Sequence, residues 1–163
     1  MGAATPYRVG VRPPLAGSVT DVGDLDEIEA LVYGYAERID AGDLDGVVEL
    51  FAHATWRSDA TGDVYRDPAS VRAVYDRIVL YEDGTPRTKH LITNLVVRFA
   101  DDGASATGRC SFTVIQSVAP GTPISAVVAG RYEDRYERGP SGWRFADRLF
   151  VAERTADQTR HFQ

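Results

Sequence analysis

The sequence has one cysteine, Cys110, so no disulfide can close within the chain, and no CxxC or Cys/His spacing of the zinc-binding kind occurs. That usage suits a reducing cytoplasm. Basic charge is also scarce. Eighteen Lys and Arg stand against 24 Asp and Glu, for a net charge of −6 and a pI near 5.0. No Lys/Arg cluster offers the several phosphate contacts that nucleic-acid binding uses, which excludes that class of partner. No apolar run is long enough for a membrane span or a signal h-region, so no membrane partner is expected. A phosphate-cradling glycine loop, a flavin or nicotinamide fingerprint and a metal-ligand cluster are all missing as well. Any chemistry read from this sequence is therefore expected to need no cofactor and no metal.

Residues 1–23 mix Pro, Gly and small side chains and read as an irregular arm. Their MGAATP start lacks the Ser or Thr that myristoylation wants, because Pro6 stands there. The chain as a whole, 163 residues at 44% hydrophobic, is enough for one globular domain with one core. From Asp24, which can cap a helix, Ile28, Leu31, Val32, Tyr35, Ala36 and Ile39 recur at helical spacing and form one apolar stripe. Gly42 stops that helix, and Asp43 caps a short second one carrying Leu44, Val47, Val48, Leu50 and Phe51. A β-prone piece at Ala54 to Ser58 and a turn at residues 60–63 follow. Asp67 and Pro68 then open a third helix with Val71, Val74, Tyr75, Ile78 and Val79 on its apolar side.

Beyond residue 87 the period shortens to two. Turn signals at DDG, APGTP and RGPSG divide the chain into segments 88–100, 104–118, 123–137 and 142–153, read as antiparallel strands. In the third, Ile124, Ala126, Val128, Tyr132 and Tyr136 are expected on the buried face, and Arg131, Glu133, Arg135 and Glu137 on the wet one. Helices first and a long meander afterwards make an α+β domain with the helices on one face of a sheet.

One stretch, AERIDAGDLDGVVELF, places Asp40 in the last turn of the first helix, where carbonyl dipoles disfavour a carboxylate. Two readings are open: Asp40 caps the AGD turn, an ordinary use of Asp, or it faces a pocket and meets a partner there. Asp40 belongs to a wider set: Y35-x4-D40-x2-D43-x6-L50-F51, H90-x3-N94, G130-x-Y132-x-D134, and W143-R144 with Arg148. In their order and spacing these residues resemble the SnoaL-like branch of the nuclear transport factor 2 (NTF2-like) superfamily, over residues 24–153. Residues 154–163 then form a C-terminal tail that looks mobile.

The resemblance implies a cone, in which a curved antiparallel sheet wraps three N-terminal helices around a deep apolar pocket. It also implies a homo-oligomer, dimer or trimer. In pattern the sequence looks most like scytalone dehydratase, the bile-acid 7α-dehydratases and hexachlorocyclohexane dehydrochlorinase, where an Asp after the first helix and a His on the first long strand form a dyad. The matching positions here are Asp40 and His90, with Tyr35 as the expected donor to a leaving group. Scytalone dehydratase carries a second histidine on the next strand, where this chain offers Arg109 or Cys110. The other two histidines, His53 in a polar turn and His161 in the tail, read as solvent-exposed.

An imidazole, whose ordinary pKa is about 6.5, is matched to proton transfer at neutral pH, and a buried carboxylate on one ring nitrogen fixes its tautomer. The implied reaction is a dehydratase-like β-elimination, or a related isomerisation or cyclisation. Trp56, Tyr65, Ile78, Phe112, Val128 and Tyr132, with Asn94 and Cys110, are the expected pocket lining. It suits a hydrophobic ring system of polycyclic, terpenoid, steroid or polyketide type. A ligand-binding protein without chemistry and a structural subunit like the β-subunit of ring-hydroxylating dioxygenases are the alternatives. Asp134 is expected to be structural and paired with Arg148.

Strand parity complicates this picture. Strict alternation groups His90 with Ile92, Asn94, Val96 and Arg98, opposite the more apolar set Leu91, Leu95, Val97 and Phe99. Either a bulge between His90 and Leu95 or a pocket mouth lined by His and Asn would reconcile the two.

Overall fold

The computed structural model describes residues 22–119 and 121–162. The N-terminal arm expected over 1–23 lies outside them up to residue 21. The helices are α1 (Val22–Asp40), α2 (Leu44–Leu50) and α3 (Pro68–Tyr75). The strands are β1 (Thr55–Ser58), β2 (Val64–Tyr65), β3 (Thr88–Phe99), β4 (Ser105–Gln116), β5 (Ser125–Gly139) and β6 (Gly142–Thr155). They form one curved, open, mixed sheet in the order β2-β1-β6-β5-β4-β3. β3 to β6 make the expected antiparallel meander, while β1 runs parallel to β6.

The α1 stripe is buried through Ile28, Val32, Tyr35, Ala36 and Ile39 and lies against β3 and β6. The helix ends where Gly42 takes a φ of 76°, which a Cβ would oppose. That Cβ would also stand 2.1 Å from the Gly84 carbonyl oxygen, so the turn and the loop before β3 touch through backbone alone. Asp43 caps α2 by accepting from Gly46 N–H at 2.9 Å. Asp67 and Ser70 form a capping box at the start of α3. This last helix stops at Tyr75, earlier than its apolar period predicts. Ile78 instead forms a β-bridge with Phe162.

One expectation about strand faces is corrected. Ile124 precedes β5 and is 69% exposed, and Ala126 is exposed as well. A register shift against β4, where Val114 faces Val128 and Ile115 faces Ala126, leaves Val127 as an extra residue, and Val127 and Val128 are both buried, together with Gly130, Tyr132, Asp134 and Tyr136. Between Thr93 and Val96 the β3–β4 register also shifts, with Asn94 at φ 56°. The bulge puts Thr88, His90 and Ile92 on the same inward face as Leu95, Val97 and Phe99. Of the two ways to reconcile parity, the bulge is the one present.

The tail is not loose. Val79 N–H donates to the His161 carbonyl at 2.9 Å, and the Tyr81 hydroxyl donates to the Arg160 carbonyl at 2.8 Å. Residues 158–162 thus fold back against the segment after α3. His161 is only 4% exposed, contrary to the exposed position expected for it.

Candidate active site

Asp40 closes α1 and points at the edge strand β3. Its Oδ1 lies 2.7 Å from His90 Nδ1 and accepts from the Thr88 hydroxyl at 2.8 Å, while Oδ2 accepts from His90 backbone N–H at 2.9 Å. Lys89 Nζ stands 3.8 Å from Oδ2. The carboxylate therefore does not cap the AGD turn. It clamps the start of β3, where an edge strand leaves a backbone donor free to be taken. Burial works to raise the Asp40 carboxyl, but hydrogen bonds from His90 and Thr88 and the charge of His90 outweigh it and hold the group below its ordinary range. The dipole cost of an acid at a helix C-terminus is offset by these donors.

Both side chains are almost closed to solvent, at 5% exposure for Asp40 and 4% for His90. With Nδ1 engaged by the carboxylate, Nε2 is left as the basic nitrogen. His90 lines a cavity of about 260 Å³ between the helices, the sheet and the folded-back tail. Tyr35, Trp56, Ile78, Val128 and Tyr132 line the same cavity. The Tyr35 ring meets His90 edge-on at 6.1 Å, and its hydroxyl lies 3.5 Å from that of Tyr75.

Four expected lining residues are elsewhere. Phe112 is buried one layer behind, stacked on Tyr132 at 4.4 Å and on Phe150 at 5.2 Å. Cys110 is sealed in the core, where burial pushes its thiol up to about 11, too high for a thiolate near neutral pH. Tyr65 packs on Trp56 at 5.7 Å from the far side, outside the cavity. Asn94, used by the bulge, is exposed.

Behind the cavity wall Asp134 and Arg148 form the expected pair. Arg148 Nε and Nη2 donate to the two carboxylate oxygens at 2.8 Å each, and the Tyr136 hydroxyl donates to Oδ2 at 3.0 Å. The guanidinium carbon lies 4.1 Å from the Tyr132 ring centre and 4.4 Å from that of Tyr35. This buried cation fixes the two tyrosines by their faces.

Sequence reasoning missed His161, Thr88 and Tyr75. Thr88 was within reach, since it precedes His90 by two residues on the same strand face. His161 carried no local signal. Its burial depends on the tail pairing with the segment after α3, although the adjoining Phe162 is unusual for a free end. Among the described residues, no group of three or more His, Cys, Asp or Glu could hold a metal ion, and no helix is long and apolar enough to cross a membrane.

Comparison with known structures finds the same fold elsewhere. An NTF2-like protein with a cystatin-like fold from Novosphingobium aromaticivorans superimposes with a TM-score of 0.67 at 20% identity, over 85% of this chain and 88% of that one. A candidate scytalone dehydratase from the same organism gives 0.68 at 16% identity, over 85% and 89%. The β subunit of a candidate aromatic-ring-hydroxylating dioxygenase, again from that organism, gives 0.67 at 15% identity, over 88% and 98%. At these identities the likeness is one of fold. A search of curated proteins finds no match. The SnoaL-like domain matches residues 20–149, which is most of the chain and carries the helices and the Asp40–His90 pair, so the protein belongs to the SnoaL-like family.

Proposed function

We propose that the protein is a cofactor-independent lyase or isomerase acting on a hydrophobic ring-containing small molecule, with His90 as base and Asp40 as its orienter. The observation that carries this reading is the buried 2.7 Å contact between Asp40 Oδ1 and His90 Nδ1 at the wall of an apolar cavity. A paired, desolvated imidazole has no packing role that an apolar side chain would not fill at lower cost, whereas proton transfer needs that arrangement.

In an elimination, His90 Nε2 takes a proton from the carbon next to a carbonyl, and the C–H electron pair becomes a C=C bond. The bond from the neighbouring carbon to its hydroxyl then breaks, the pair leaves with oxygen, and Tyr35 protonates it to water. The imidazolium proton returns to the Tyr35 oxygen directly or through that water. The net change is loss of one water, with no oxidant or reductant. Asp40 supports the step by stabilising the imidazolium. The dioxygenase-subunit likeness concerns fold, and a catalytic-type pair opening into a cavity favours the enzyme reading over it.

Hydroxylated and halogenated ring ketones and ring epoxides, screened against wild type, His90→Gln and Asp40→Asn, provide the test. Turnover in wild type with loss in both variants is the expected result. Equal turnover in all three would remove the dyad mechanism.

A further inference from the structure

Two residues that line the cavity carry buried nitrogens: Trp56 Nε1, which has the Tyr75 hydroxyl as a neighbour, and His161 Nδ1, which has no hydrogen-bond partner. Buried polar groups are nearly always paired, so an unpaired atom beside an apolar cavity marks where a ligand's polar atom belongs. His161 is the more telling of the two. Its backbone is anchored by the Val79 N–H bond and by the neighbouring Phe162–Ile78 bridge, and its ring packs on Phe162 at 4.4 Å. The imidazole is thus held by the fold against the cavity, at the opposite end of the sequence from Asp40. Tyr35 and Tyr75 already have each other's hydroxyls at 3.5 Å, which leaves His161 with a polar capacity that nothing described uses.

We propose that His161 receives the carbonyl oxygen of the substrate, hydrogen-bonding it while His90 works on the adjacent carbon, and that the substrates are accordingly ring ketones. This rests on the elimination or isomerisation reading above. A base beside a C–H bond accomplishes little unless the charge that develops on the carbonyl oxygen is met by a preorganised donor. Burial, with the charge of His90 added, pushes the His161 imidazole down to about 4, so it stands neutral at pH 7. A neutral imidazole gives no proton away. It offers an N–H to an oxygen and draws the enolate charge without a transfer of its own, a role histidine fills in other enolate-forming enzymes. The facing titratable groups are His90 on β3, Tyr35 on α1, Tyr75 on α3 and Tyr132 on β5, together with Arg77 after α3. The division of work then follows the geometry: His90 takes the proton, His161 takes the oxygen, and Tyr35 meets the leaving group.

The full chain can be tested with 1-tetralone and its hydrocarbon counterpart tetralin, followed by quenching of tryptophan fluorescence, because Trp56 lines the cavity. Wild type is expected to bind the ketone about tenfold more tightly than the hydrocarbon. His161→Phe, which keeps a ring of similar bulk, should lose that preference while still binding tetralin. His161→Gln, which keeps a donor, should retain most of it. Exchange of the tetralone α-protons in D2O should be abolished in His90→Gln and slowed in His161→Phe. A ketone preference that survives in His161→Phe overturns the proposal, as does failure of wild type to bind either compound. A His161-dependent preference without any exchange in wild type would retain the oxygen-binding role and sink the enzyme reading, so the two failures are separable.

Discussion

Asp40 holds His90 at two points, through the ring nitrogen at 2.7 Å and the backbone N–H at 2.9 Å, so one carboxylate sets both the orientation of the imidazole and the position of the strand that carries it. Catalysis and local folding share this contact. Asp40→Asn is expected to lower turnover or α-proton exchange by about 10²–10⁴, the range for loss of a positioned acid–base group or its tautomer control. Steady-state rates at saturating substrate measure it. A loss confined to KM would assign Asp40 to binding alone.

The Asp134–Arg148 pair has the opposite character, being wholly buried and outside the proposed chemistry. Burial alone would push the Arg148 guanidinium down; Asp134 outweighs it and keeps the group firmly charged. Arg148→Met or Asp134→Asn alone strands a buried charge or acceptor and should cost about 3–5 kcal/mol in urea unfolding. The double variant Asp134→Asn with Arg148→Met should cost much less than the sum. Additive losses would show that the pair is not coupled.

Acid lowers stability through two groups in different windows. An imidazole in the unfolded chain titrates near 6.5 and His161 in the fold near 4, so between these values the unfolded chain binds more protons. Stability is expected to fall as pH drops from about 6.5, by roughly 2–3 kcal/mol once pH is below about 4. Asp40 is depressed below its ordinary value of 3.8, so its contribution is present above that pH and is lost as pH falls through its folded value. Urea titrations at stepped pH should show the upper window disappear in His161→Phe and persist in Asp40→Asn.

The β3 bulge can be tested separately. Asn94 at φ 56° is in the left-handed region that Asn tolerates and β-branched residues do not. Asn94→Val should cost about 1–3 kcal/mol in thermal or urea unfolding, whereas Asn94→Gly should be near neutral. Deletion of Asn94 should be far worse, because it would turn His90 and Ile92 to the face opposite Leu95, Val97 and Phe99. Equal stability of the Val and Gly variants would show that the bulge carries no strain.

Much of this protein is determined by local rules that act within a few residues. The apolar stripe of α1, the stop at Gly42, the caps at Asp43 and Asp67 and the alternation of β4 depend on spacing and backbone preference, so the α+β order could be read directly. The odd position of Asp40 and the family pattern around His90 also point to the dyad from sequence alone.

Other features are non-local, and tertiary structure decided them. The face that His90 presents depends on a bulge whose cause is register against β4, not the β3 residues alone. Phe112 and Cys110 alternate inward as expected, but only packing of the sheet against Tyr132 and Phe150 puts them behind the cavity instead of at its surface. His161 shows the limit most sharply. A polar tail with one aromatic residue has too little apolar surface to order itself, and it becomes a wall only because the segment after α3 offers backbone partners and a place for Phe162.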